Sequence, residues 1–306
     1  MDLGYLENQT DSQIAFTGTF FRTFQINCDN PFLNVESPNG TGPLNTGFFG
    51  CTPDQIANGE DVGFGGVASG PGYRNVTGDP RSTFIDIDAF RGVVGLRGTI
   101  ADRWDWDVFG QFSRTNLNTV STGDINFQRM QDAFFVVEDD TGTPVCRSGN
   151  AGCTPVNFFT NPTGELISPE QAQFLQGTGI VRGQTEQIVL GGTIGGETGV
   201  TIPWAQSQIQ GLVGVEYRRD SLERTPDELS RIPGGLWLTG VGGGTLPVQG
   251  EVEVTEVYGK VQIPIIEGAA LADELVVTGA YRFSDYSTDG NGVQNSFSNS
   301  SFAAGA

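Results

Sequence analysis

Three acidic pairs, Asp86/Asp88, Asp105/Asp107 and Glu251/Glu253, are the first candidates for chemistry. Two carboxylates facing each other across a cleft can divide acid and base work on a glycosidic bond. Spacing of i,i+2 on a strand merely puts both groups on one face, where a hydrated surface is the simpler use. Asp139-Asp140 and Asp285/Asp289 offer oxygen ligands to calcium but lack EF-hand spacing. The run Gly240-Val241-Gly242-Gly243-Gly244 misses the G-x-G-x-x-G frame and opens no helix. The chain has no His, which excludes Ser-His-Asp and Cys-His relays and His-bearing metal sites. No catalytic constellation, cofactor site or metal site is expected.

The four cysteines form close pairs, Cys28/Cys51 and Cys146/Cys153, each inside a polar stretch rich in Gly, Pro and Asn. Loop cysteines of this kind suit disulfides in an oxidising compartment. Four cysteines allow three connectivities, and proximity alone favours the local one; four free thiols are the alternative. Sixteen Lys and Arg against 36 Asp and Glu leave a net charge of −20, which argues against nucleic-acid binding. The start, Met1-Asp2-Leu3-Gly4-Tyr5, lacks the basic and apolar regions of a signal peptide. No window approaches the ~18 to 20 apolar residues of a membrane helix. Both ends are expected to be cuts through a longer protein, since Ser296–Ala306 closes no recognisable element.

The elements that hold these residues alternate with period two. From Phe90 one face reads Phe90, Gly92, Val94, Leu96, Gly98, Ile100, the other Arg91, Val93, Gly95, Arg97, Thr99. After Ala101-Asp102-Arg103 comes Trp104, Trp106, Val108, Gly110, Phe112, opposite Asp105, Asp107, Phe109, Gln111, Ser113. The same pattern returns over Gln187–Ile194, Gln208–Arg218, Glu256–Ile263 and Leu275–Ser284, and with poorer alternation over Ile14–Phe24. These are two-faced strands. Connections at 101–103, about 198–206 and about 265–273 are short. Those at about 25–83, 117–185, 222–252 and 287–306 are long and polar. Outer-membrane barrels segregate short turns and long external loops in this way. Aromatics near both ends of the apolar rows (Trp104 and Trp106; Phe112, Tyr217, Tyr281 and Phe283) fit two interfacial girdles. Within one long loop, Ser168-Pro169-Glu170-Gln171 has the N-cap, first-turn proline and capping-box glutamine of a short helix over 169–177.

The expected fold is therefore all-β: an antiparallel up-and-down transmembrane barrel segment of about seven strands, spanning 1–306 as part of one barrel domain. Lipid would wet the apolar rows. Arg91, Arg97, Asp105, Asp107, Gln208, Gln210, Glu216, Arg218, Glu256, Lys260 and Arg282 would face a wet lumen, solvating the wall or lining a ligand path. The loop aromatics Phe48, Phe49, Phe158, Phe159 and Trp237 are candidates for ligand stacking or for packing of the loops on one another.

Several short runs add a resemblance. Val145-Cys146-Arg147, then Gly152-Cys153-Thr154-Pro155-Val156-Asn157-Phe158-Phe159 and Ser168-Pro169, resemble an external loop of bacterial TonB-dependent receptors. So do Asn30-Pro31-Phe32-Leu33 after Cys28, and Gly214-Val215-Glu216-Tyr217-Arg218 before Pro226-Asp227. Tyr281-Arg282-Phe283-Ser284-Asp285-Tyr286-Ser287 is similar to a strand end common in those barrels. The resemblance implies a bacterial outer-membrane location and a 22-stranded barrel filled by a plug. It also implies a TonB complex that drives import of a scarce small-molecule or oligosaccharide ligand through the plug region. Neither plug, TonB box nor terminal aromatic signal is recognisable here. A passive porin-like channel and a secreted soluble β-sandwich adhesin are the rival readings.

Overall fold

The computed structural model describes residues 1–19, 23–37, 40–65, 73–159, 167–231, 238–239, 244–269 and 272–306. In chain order its strands are β1 (Asp2–Gln13), β2 (Thr23–Asn27), β3 (Asp61–Gly65), β4 (Ser82–Ile100), β5 (Trp104–Asn126), β6 (Val136–Glu138), β7 (Pro144–Cys146), β8 (Gln176–Thr201), β9 (Gln208–Pro226), β10 (Leu238–Thr239), β11 (Val248–Ala269), β12 (Ala272–Gly290) and β13 (Val293–Gly305). Helices are short: α1 (Leu44–Gly47), α2 (Pro53–Asn58), α3 (Phe127–Phe134), α4 (Pro169–Leu175) and α5 (Glu228–Arg231). No described helix is long and apolar enough to cross a membrane, which says nothing of a β-barrel.

One antiparallel sheet dominates, in the order β1-β4-β5-β8-β9-β11-β12-β13, with β10 added on the end of β5. Each long strand pairs with the long strands next to it in sequence, so the sheet is a meander. β1 and β13 are its two edges. The turn 101–103, the connection 202–207 and the β11 and β12 ends at Ala269 and Ala272 lie at one end of the sheet, whereas the strand ends that flank 14–81, 127–175 and 227–247 lie at the other. At the first turn Ala101 and Asp102 take positive φ (54° and 55°). Two consecutive left-handed residues give the primed turn that matches strand twist.

Three expectations are corrected. The stretch 287–306 is not a loop: β12 continues to Gly290 and β13 fills Val293–Gly305. Asn291 and Gly292 (φ 51° and 82°) join them in a two-residue hairpin at the long-connection end, as an Asn-Gly pair between strands favours. The N-terminal strand lies at Asp2–Gln13, not over Ile14–Phe24, whose described part is irregular until β2 begins at Thr23. Charged and amide residues on both faces of β1 hide it from an alternation test. The sheet also has eight long strands rather than about seven, and they are longer than their amphipathic cores. β5 runs to Asn126 and β8 starts at Gln176, inside the expected loop 117–185; β9 and β11 likewise shorten 222–252 to 227–247. In these extensions the ladder continues while both faces become polar, so pairing persists where periodicity fades.

The buried core lies outside the large sheet's apolar face. It sits in the long connections, where Phe24, Ile125, Met130, Phe134, Val156 and Leu175 pack together and Ile26, Leu33 and Leu44 form a second cluster. α4 starts at its expected cap: Ser168 accepts from the Gln171 N–H, and Gln171 accepts from the Ser168 N–H. It ends at Leu175, two residues short of expectation, because β8 begins at once. Thr52 and Gln55 build the same box on α2.

Both local disulfides form, Cys28–Cys51 and Cys146–Cys153, and no described cysteine is free. Their sequence separations of 23 and 7 residues set the chain entropy each removes from the unfolded ensemble. In that picture the longer loop is worth about 3 kcal/mol. The Cys28→Ala/Cys51→Ala variant should lose protease resistance in the 14–81 connection while the far-ultraviolet β signal is kept. Limited proteolysis with circular dichroism checks this.

Candidate functional site

The sheet itself is the candidate site, because its two faces differ in chemistry over the same strands. Antiparallel register puts directly opposed residues on one face. Gly92↔Phe112, Leu96↔Val108 and Gly98↔Trp106 continue into Phe112↔Ile188, Gly110↔Leu190 and Trp106↔Ile194. They continue further into Leu190↔Tyr217, Ile194↔Val213, Val215↔Val257, Val257↔Phe283 and Tyr281↔Phe302. At the other edge Leu3 and Tyr5 oppose Gly92 and Phe90. One apolar band thus crosses all eight long strands. Among the described residues nothing covers it: Leu96 is 66% exposed, Val213 57% and Tyr281 53%. From Phe90 to Ile100 it runs about 33 Å along the strand, at ~3.3 Å per residue.

The same face turns polar abruptly toward the long connections. Arg114 pairs with Glu186, Asn116 donates to Asp88 at 2.7 Å, and Arg219 pairs with Glu251. The Tyr217 hydroxyl donates to Glu253 at 2.8 Å. The Arg114 guanidinium lies 5.9 Å from the Phe112 ring, at the boundary of band and collar.

All eleven polar candidates share the opposite face, as the registers Arg97↔Asp107, Glu216↔Glu256, Lys260↔Leu212 and Arg282↔Tyr258 require. Several are joined across strands. Arg91 donates to Gln111 (2.8 Å), Gln111 to Gln187 (2.7 Å) and Gln187 to Asp220 (2.8 Å); Arg218 pairs with Asp220 at 3.1 Å. The row spans β4, β5, β8 and β9. Asp105 accepts from Thr99, Gln208 from the Gly199 N–H, and Glu256 from both Arg282 and Ser284. Arg97, Asp107, Gln210 and Lys260 line a groove of about 1080 Å3 near the short turns. On this face the Tyr258 ring lies over Gly214, and Phe109 covers Gly191, leaving no room for a Cβ on either. Gln111, Gln187 and Asp220 were not singled out beforehand, although the period-two rule places the two glutamines on this face.

The loop aromatics mostly serve packing. Phe49 meets Phe64 and Phe159 edge to face at 5.3 Å, and Phe158 contacts Tyr73 and Phe134 at 4.8 and 5.0 Å. Phe48 packs on Phe49 yet stays 55% exposed. Trp237 lies outside the described residues. Contacts far apart in sequence tie these loops together. Asn27 donates to the Val136 carbonyl and accepts the Val136 N–H; Asn30 donates to the Phe134 carbonyl; Arg147 grips Asp61 with two nitrogens. No group of three or more candidate metal ligands occurs among the described residues. The Asp139 carboxylate instead accepts from Thr141 and Thr143, which hold it below the usual carboxylate range.

Asp124, buried at the end of β5, has an Oδ1 without a hydrogen-bond partner. Burial raises its pKa to about 6 against the opposing influence of Arg81 and Thr17. A raised folded-state value means the carboxyl stabilises the fold below the unfolded pKa and loses that contribution as pH climbs to about 6. Asp124→Asn should therefore raise the folding free energy at pH 8 by up to about 3 kcal/mol, at ~1.4 kcal/mol per unit, read as a higher thermal midpoint. The gain should vanish near pH 4. Thermal melts across that range check the sign.

Comparison of the chain with known protein families, with curated proteins and with solved structures yields no match.

Proposed function

We propose that the sheet is part of the wall of an outer-membrane β-barrel, with its apolar band in the hydrocarbon and its polar face toward a wet lumen. The uncovered band across eight strands carries this reading. A soluble sandwich would bury such a face against a second sheet. Strands tilted by 35–45° would turn the 33 Å run into a band about 25 Å tall, the height of the apolar zone in such barrels. The charged collar then falls at headgroup level, and the polar extensions and disulfide-braced loops project outside. In this setting each interior backbone group has a ladder partner, which hydrocarbon demands.

The motifs that resemble TonB-dependent receptors favour an energised importer over a passive pore: the parent protein binds a scarce ligand at the loop side and passes it inward when TonB acts. Two tests separate the layers of this reading. Val213→Arg, in the middle of the band, should cost about 2–4 kcal/mol of folding free energy in lipid bilayers, whereas Thr193→Arg on the polar face should cost close to nothing. Equal losses would contradict the assignment of faces. In cells making the protein, a protonophore should abolish ligand uptake; uptake that survives supports the passive pore.

A further inference from the structure

The Asp124 carboxyl is buried where several segments of the chain meet. The β5–β8 ladder slips here, with a register shift between Ser121 and Asp124. Gly123, at φ 78°, lies so close to the 79–81 segment that a Cβ on it would collide with the Pro80 carbonyl. The Gln176 side chain closes the same corner, donating to the Asp79 carbonyl at 2.8 Å and accepting from the Asp79 N–H at 3.3 Å. Against the carboxyl runs the stretch 14–19, which belongs to no strand or helix; its Thr17 is wholly buried and donates to Asp124. A few bonds fasten this stretch. Ile14 N–H donates to the Arg81 carbonyl (2.9 Å), Asn75 N–H to the Thr17 carbonyl (3.0 Å) and Thr19 N–H to the Tyr73 carbonyl (2.9 Å). Arg81 Nε donates to the Ala15 carbonyl at 2.9 Å and Arg74 to the Phe16 carbonyl at 3.3 Å.

Neither 14–19 nor the 176–178 segment of β8 carries a charge. The charged neighbours are Arg74, Asp79 and Arg81, with Arg129 on α3, whose guanidinium is taken by the Phe174 and Gln176 carbonyls. Arg81 alone among them acts on the Asp124 carboxyl, and its attraction does not offset the cost of burial. One carboxyl oxygen has no hydrogen-bond partner. Such a group is tolerable as a neutral acid and costly as an anion. Lifting a lightly fastened cover re-solvates the anion at less cost than unfolding the sheet.

From this geometry we infer that 14–19 is a pH-operated strap, latched over the neutral Asp124 carboxyl in acid and lifting as that carboxyl ionises. The device is independent of the reading of the sheet's faces, since no part of it needs lipid or a lumen. With the strap lifted the carboxyl titrates at its ordinary value of 3.8, and with the strap latched at about 6. Between those values lifting releases a proton. The open fraction therefore rises about tenfold per pH unit across that window and levels off above it.

The test is hydrogen exchange read by mass spectrometry on the full 306-residue chain in detergent, disulfides intact, at pH 4 to 8 and corrected for intrinsic rates. Protection over 14–19 should fall about a hundredfold between pH 4 and pH 6, for a carboxyl shifted by about two units, and then stay level. β9 should remain more protected than the strap at every pH, which marks the opening as local. Asp124→Asn should abolish the pH dependence. Thr17→Val, which removes a donor that favours the anion, should extend the fall beyond pH 6. Protection over 14–19 that ignores pH, a pH dependence that survives Asp124→Asn, or equal protection of strap and β9 would overturn the inference.

Discussion

An antiparallel sheet satisfies its own backbone, so what its two faces touch decides where the molecule can live. Here one face presents Phe90, Leu96, Leu190, Val213, Val257 and Tyr281 in adjacent rows, with no described layer over them. At about 25 cal/mol per Å2, a face of this size left in water would be a large cost and an invitation to aggregate. In the barrel proposed above, contact with hydrocarbon would remove the cost. The arrangement of charge agrees with that setting: the eleven polar candidates lie on the opposite face, and the charged pairs of the apolar face gather in a collar beyond Phe112 and Tyr217.

The buried core is accordingly in an unusual place. Phe24, Phe134, Ile125 and Leu175 make the long connections into a small packed body of their own, braced by two disulfides and by Asn27, Asn30 and Arg147. These contacts hold the body at one end of the sheet, where β5 and β8 extend past the band to meet it. Asp124 sits at that junction, a carboxyl whose burial is tolerated at neutral pH at some expense in stability.

Much of this was legible in the residues, and the reason is periodicity. Where one face is apolar and the other polar, as from Phe90 to Ile100 or Gln208 to Arg218, alternation reveals the strand and the side of each residue; all eleven polar candidates share a face. Where both faces are polar, as in β1 and in the outer part of β8, alternation vanishes and only backbone pairing marks the strand. The β12–β13 hairpin had a local signal in Asn291-Gly292, obscured by the serine-rich strand that follows. The helix cap at Ser168 was readable because its hydrogen bonds span three residues. The Asn27–Val136 and Arg147–Asp61 contacts were not, since nothing local links residues so distant.

The most direct test of the central claim is a spin-label scan along β9 from Gln208 to Tyr217 in lipid bilayers. The account predicts that collisions with dissolved oxygen rise at Ile209, Gly211, Val213, Val215 and Tyr217, and that collisions with a water-soluble nickel complex rise at the residues between them. Accessibility without a two-residue period, or apolar positions shielded from both reagents, would contradict it.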